Sequence, residues 1–149
     1  MKILVVGSGH SQIHEVAVHV RWFDVPSSAG AGNALEMYYR RAIAFVEERI
    51  ETPYYFLFSD FPAAAREKLD LPVDRVTCVS HNKGDEGAYA DLWLMSRCKH
   101  FITANSTFSW WGAWLGGSGP RTVVTPDLHT SGKAAWGFPG LIPLGWVRI

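Results

Sequence analysis

A chain of 149 residues has room for one domain and little more. Hydrophobic residues make up 48% of it, enough for a core, and 14 basic residues balance 14 acidic ones, so it lacks the electrostatic footprint of a nucleic-acid binder and must hold any anion with a few local groups. No apolar run approaches the roughly 18 residues that span a bilayer, and the opening Met1 to Val6 is too short for a signal-peptide core, which makes a soluble, cytoplasmic chain the expectation.

In chain order, Val16-Ala17-Val18-His19-Val20 is a β-branched run and reads as a buried strand. The stretch from Pro26 to Gly32 is rich in small turn-forming residues and long for a loop, which marks it as functional or mobile. Ala34 to Glu51 reads as a helix: Leu35, Tyr38, Tyr39, Ala42, Ile43, Val46 and Ile50 recur at helical spacing, Asn33 suits the N-cap, and Pro53 stops it. Tyr54 to Phe58 is a second strand, Ala63 to Leu69 a short helix and Arg75 to Val79 a third strand. Glu86 to Arg97 is expected to be helical, with Tyr89, Leu92, Trp93 and Met95-Ser96 on its buried face. Phe101 to Thr103 is a fourth strand, Phe108 to Leu115 a helix and Thr122 to Val124 a fifth strand, and the Gly-, Pro- and Trp-rich tail reads as irregular. Cys78 and Cys98 lie in apolar surroundings without metal-ligand spacing, as reduced core residues do.

Strands separated by helical segments imply an α/β fold, a Rossmann-like parallel sheet with helices on both faces, in which ligands gather beyond the carboxyl ends of the strands. The residues in those places are Arg21 to Asp24, Ser59-Asp60, Ser80 to Asn82 and Asn105 to Thr107, all polar groups within reach of one crevice. Arg21 is suited to phosphate through its planar fork of donors, though it also reads as half of a surface pair with Asp24. Asp60 suits ribose hydroxyls or base nitrogens, or else caps the helix that Pro62 opens. The run from Thr103 through Trp114 aims free N–H groups and the positive end of a helix at one point, which suits pyrophosphate; the plainer reading is an ordinary Ser/Thr cap. The four tryptophans between Trp93 and Trp114 read as packing more readily than as sugar-stacking platforms. Gly7-Ser8-Gly9 opens like a dinucleotide fingerprint, but Gln12 stands where its third glycine belongs, and His10, His14 and Glu15 lack a further metal ligand.

Taken together, these pieces resemble the C-terminal half of the glycosyltransferase family 11 α-1,2-fucosyltransferases. Val18 to Asp24 resembles the family's H-V-R-R-G-D motif, Tyr38 to Ile43 its Y-Y-x-x-A-I helix start, Phe58-Ser59-Asp60 its F-S-D, and Asp91 to His100 its D-L-x-L-M-S-x-C-K-H. Asn105 to Leu115, N-S-T-F-S-W-W-G-A-W-L, resembles its most specific signature, and Trp146 to Ile149 its usual ending, so that the likeness runs from about residue 12 to the end.

The resemblance implies the C-terminal domain of a GT-B enzyme, with residues 1–149 forming a single GDP-fucose-binding domain. It implies metal-independent, inverting transfer of L-fucose from GDP-fucose to the 2-hydroxyl of a galactose-terminated glycan, with no cofactor. Arg21 would stabilise the leaving β-phosphate; Asn105, Ser106, Thr107 and Ser109 would surround the pyrophosphate; His19, Ser59, Asp60 and Asp91 would contact ribose or guanine. Trp22 and Phe23 replace the motif's second arginine and its glycine, which removes a charge and adds bulk. The family's N-terminal domain is not represented, so the expectation is a truncated start or a partner chain, an exposed inter-domain face prone to association, and peripheral attachment at the inner membrane face. Asp24 is a candidate general base. The alternative expectation is a catalytically inactive nucleotide-sugar-binding domain or half-enzyme.

Overall fold

The computed structural model describes residues 13–21, 34, 36–80, 84–117, 119–127 and 140–149. The expectations for Gly7 to His10, Gln12, Trp22 to Asp24, Pro26 to Asn33, Leu35, His81 and Asn82 fall outside them.

Strand β1 (His14–Val20) is buried on both faces along most of its length, as a central strand of a parallel sheet must be. Helix α1 (Glu36–Arg49) turns Tyr38, Tyr39, Ala42, Ile43 and Val46 inward, with Glu36 in its first turn and Arg49 in its last, each matching the helix dipole. The chain reverses through Thr52 at φ 46° and enters β2 (Pro53–Ser59). Then follow α2 (Pro62–Lys68), a 3₁₀ turn (Val73–Arg75), β3 (Val76–Val79), α3 (Gly84–Ser96), β4 (His100–Ile102), α4 (Thr107–Leu115), β5 (Val123–Thr125) and β6 (Val147–Arg148).

All pairings are parallel and the strand order is β3-β2-β1-β4-β5-β6, a doubly wound sheet. The chain winds outward from β1 to β3, crosses back, and winds outward again from β4. The order therefore reverses between β1 and β4, and a crevice opens there at the carboxyl edge. Pairing between these two strands ends at Val18 with Ile102, whereas β1 continues beside β2 to Val20 with Ser59.

Two cores sandwich the sheet. Val16, Val18, Val20, Tyr55, Leu57, Ile102 and Val124 pack under α1 and α2. Ala17, Phe58, Val79, Phe101 and Val123 face the opposite way, against Met95 of α3 and Ala113 of α4. The period-2 alternation of side chains along each strand produces this division. The expected Rossmann-like α/β fold with helices on both faces is thus the fold found.

Two expectations need correction. The tail is not wholly irregular: Val147 and Arg148 add a sixth strand to β5, fixed by Asp127 N–H to the Ile149 carbonyl at 2.7 Å and Ile149 N–H to the Thr125 carbonyl at 3.1 Å. Tyr89 and Trp93 do not lie on the buried face of α3; they are 80% and 56% exposed. Met95 sets the phase of that helix by seating against Gly112 of α4, which turns Tyr89 and Trp93 outward, with the Arg97 guanidinium 5.8 Å from the Trp93 ring. Both cysteines are free; Cys98 is buried, and burial, aided by the Glu15 charge, pushes its thiol up to about 12, while Cys78 is half-buried.

Candidate functional site

Because β1, β2, β3 and β4 run parallel, the residues that follow them emerge on one edge of the sheet. A cleft of about 550 Å³ lies there, under the start of α3. Its polar groups are His19 and Arg21 from β1, Ser59 and Asp60 from β2, Ser80 from β3 and Asp91 from α3, while Phe58, Val79 and Phe108 supply apolar wall. Five expected site residues, His19, Arg21, Ser59, Asp60 and Asp91, therefore share one cavity.

His19 is almost wholly buried. Burial, and secondarily the adjacent Arg21 charge, lowers its pKa to about 3, so the imidazole is neutral at physiological pH. Its Nδ1 is buried with no hydrogen-bond partner among the described residues. Ser59 Oγ accepts from the Phe61 N–H at 3.0 Å and lies 3.3 Å from Asp60 Oδ1, holding the turn out of β2. The side chain of Asp60 thus points from a braced turn into a cleft that also holds a guanidinium.

The other four expected residues form the turn from β4 into α4, on the same edge but beside the cavity rather than in its lining. Asn105 Oδ1 accepts from the Ala34 N–H at 3.0 Å and so ties this turn to the chain entering α1. Ser106 is the N-cap of α4, its Oγ accepting from the Phe108 N–H at 3.2 Å. Ser109 is buried and spends its hydroxyl inside the turn, accepting from the Ala104 N–H at 3.1 Å and lying 3.2 Å from the Ala104 carbonyl. Thr107 is exposed at the first helical position. What this turn offers a ligand is the opening of a capped helix; the hydroxyls of Ser106 and Ser109 shape the turn. Phe108 projects from α4 into the cleft wall, with its ring 5.4 Å from that of His19.

Sequence reasoning singled out neither Phe108 nor Ser80 as a site residue, although Ser80 lay among the strand-end groups. His14 packs against His100, ring centroids 5.9 Å apart, at the opposite edge of the sheet. Among the described residues no three His, Cys, Asp or Glu side chains cluster as a metal site would require. Nor is any described helix long and apolar enough to cross a membrane.

A doubly wound parallel sheet with a cleft of mixed charge at its switch point defines a Rossmann-like α/β domain, the class whose ligands lie beyond the carboxyl ends of the strands. The chain belongs to glycosyl transferase family 11, which it matches over residues 2–137. That match begins upstream of the expected likeness and stops short of the closing Trp146 to Ile149. The chain is 37% identical over 140 residues to an Escherichia coli protein named alpha-1,2-colitosyltransferase, covering 91% of this chain and 48% of that one. It is 34% identical over 121 residues to the E. coli O-antigen biosynthesis glycosyltransferase WbnK, covering 78% of this chain and 39% of that protein. The chain thus spans about half the length or less of these relatives.

Proposed function

We propose that this chain is the donor-binding domain of an inverting α-1,2-glycosyltransferase that takes L-fucose from GDP-fucose and places it on the 2-hydroxyl of a galactose-terminated glycan. The observation that carries the reading is the meeting of Arg21, Asp60, Asp91 and neutral His19 in one cleft at the switch point, beside the start of α4. A sugar diphosphate needs this mixture. As the glycosidic bond to GDP breaks, negative charge develops on the β-phosphate, and a guanidinium with helix-opening N–H groups stabilises it without a metal. Carboxylates accept from ribose hydroxyls and from the N–H edge of guanine. The apolar wall at Phe58 and Phe108 keeps water from the developing charge. Asp24 is the candidate general base within this chain, and the acceptor side is assigned to a second domain or partner chain, in keeping with relatives about twice this length. Attachment at the inner membrane face is part of this proposal.

A second donor reading has its own support, since one relative is named a colitosyltransferase. Colitose differs from fucose by lacking the 3-hydroxyl, so a GDP-linked 3,6-dideoxy sugar would use the same nucleotide contacts.

Calorimetry with GDP tests the nucleotide assignment. Binding that Arg21→Ala weakens by about a hundredfold is expected; no heat at millimolar GDP would remove the reading. Incubation with lactose and either GDP-fucose or GDP-colitose then separates the donors. GDP binding with neither transfer nor donor hydrolysis would instead establish an inactive binding domain or half-enzyme.

A further inference from the structure

Where β1 and β4 part company, their backbone polar groups lose the ladder partner that a continuing sheet would supply, and buried carbonyls need donors from elsewhere. Two adjacent tyrosines of α1 supply them. Tyr39 Oη donates to the His19 carbonyl at 3.0 Å, and the Arg21 backbone N–H donates to the same hydroxyl oxygen. Tyr38 Oη lies 2.6 Å from the Thr103 carbonyl and 3.1 Å from that of Val124. Thr103 N–H also reaches the Val124 carbonyl, at 2.9 Å, so the Tyr38 hydroxyl sits where β4 and β5 end together. Both rings are buried and meet edge to face, with centroids 4.8 Å apart. Each side chain is therefore locked by packing and ends in a hydroxyl bonded to backbone carbonyls at the strand ends.

We propose that Tyr38 and Tyr39 are positioning residues for the cleft: the Tyr39 hydroxyl sets the backbone of residues 19–21, the Tyr38 hydroxyl sets the exit of β4, and together they hold both sides of the fork in one ligand-ready geometry. Neither hydroxyl lines the cavity. Their effect passes through His19 and Arg21 on one side and through the turn that starts at Ala104 on the other. A helix that packs across both strands can do this because its two consecutive side chains diverge by about 100° and so reach neighbouring strands. The consequence for the nucleotide rests on the function proposed above; the geometric claim does not.

The test compares Tyr38→Phe and Tyr39→Phe with Tyr55→Phe. Tyr55 is a buried tyrosine whose hydroxyl bonds Glu47 Oε1 at 2.7 Å near the start of β2, away from the cleft, so it reports the cost of losing a tyrosine hydroxyl without touching the fork. Amide hydrogen exchange followed by NMR is expected to speed up about tenfold at Arg21 in Tyr39→Phe and at Thr103 in Tyr38→Phe, and at neither in Tyr55→Phe. GDP affinity is expected to fall about tenfold in each fork variant and to hold in the control. Unchanged exchange at Arg21 and Thr103, or equal acceleration in all three variants, overturns the proposal. If the unaltered chain binds no GDP but the exchange pattern holds, the nucleotide reading fails and the positioning role stands.

Discussion

His19, the penultimate residue of β1, sets its ring 5.4 Å from that of Phe108, the second residue of α4, at an interplanar angle of 48°. The contact closes one side of the cleft across the switch point, where burial, aided by the Arg21 charge, requires the imidazole to be uncharged.

That requirement predicts acid sensitivity. His19 has its pKa lowered to about 3, and His100 to about 4, chiefly through burial. In the unfolded chain both revert to about 6.5, so the unfolded state binds more protons below that pH. Stability contributed by the neutral folded forms is fully present above pH 6.5 and is lost as pH falls toward 4 and then 3. Urea unfolding at pH 7, 6 and 5 should show a falling midpoint, with each histidine steepening the loss by at most about 1.4 kcal/mol per pH unit. Replacing His100 with Gln should flatten the dependence. An equal slope in that variant would place the acid sensitivity elsewhere.

The helix layer on the Phe101 face depends on two glycines for space and not for backbone freedom. A Cβ on Gly116 would strike the ring of Phe101, which is rigid and buried, and a Cβ on Gly112 would strike the side chain of Met95. An aromatic ring cannot yield as a thioether can. Gly116→Ala is expected to destabilise the fold by about 1–3 kcal/mol, the usual range for overpacking, and Gly112→Ala by less. Thermal melts of the two variants decide the order; a larger loss at Gly112 would contradict it.

How legible all this was in the sequence depends on the length scale of each signal. The V-A-V-H-V run and the aromatic second strand announced a buried parallel sheet, and the strand-end rule placed Arg21, Ser59 and Asp60 in the cleft. Strand β6 was not legible because two residues carry no periodicity and its register comes from backbone bonds alone. The phase of α3 was misread because its apolar residues fall on several sides, and the choice was made by the contact of Met95 with Gly112. A serine in a strand-to-helix turn looks the same whether it faces a ligand or its own backbone, so the inward roles of Ser106 and Ser109 needed coordinates. The hydroxyls of Tyr38 and Tyr39 were hidden for a similar reason, since tyrosine satisfies an apolar pattern.

Ser109 supports the most demanding polar contact of the turn. Its hydroxyl accepts from the buried Ala104 N–H, so Ser109→Ala leaves a donor with no partner. A loss of about 1–3 kcal/mol in chemical denaturation is expected, the cost of an orphaned buried donor. Ser106→Ala removes only a cap and should cost about 1 kcal/mol. If the two variants lose equal stability, the Ala104 contact is weaker than its burial implies.

The cleft's charges should divide the work on a nucleotide between its two ends. Arg21 is a fixed cation suited to the diphosphate, whereas Asp60 and Asp91 accept hydrogen bonds and would repel phosphate. Arg21→Ala should therefore weaken GDP and inorganic pyrophosphate alike, in both cases by a hundredfold or so, as expected on losing a charge-assisted pair of bonds. Asp60→Asn and Asp91→Asn should each weaken GDP about tenfold, through lost bonds to ribose or base, while leaving pyrophosphate unchanged or bound more tightly. Calorimetric titration of both ligands into the three variants reads the division directly. Tighter GDP binding on neutralising either carboxylate would show that it lies against the phosphates, and the orientation of the nucleotide in the cleft would have to be reversed.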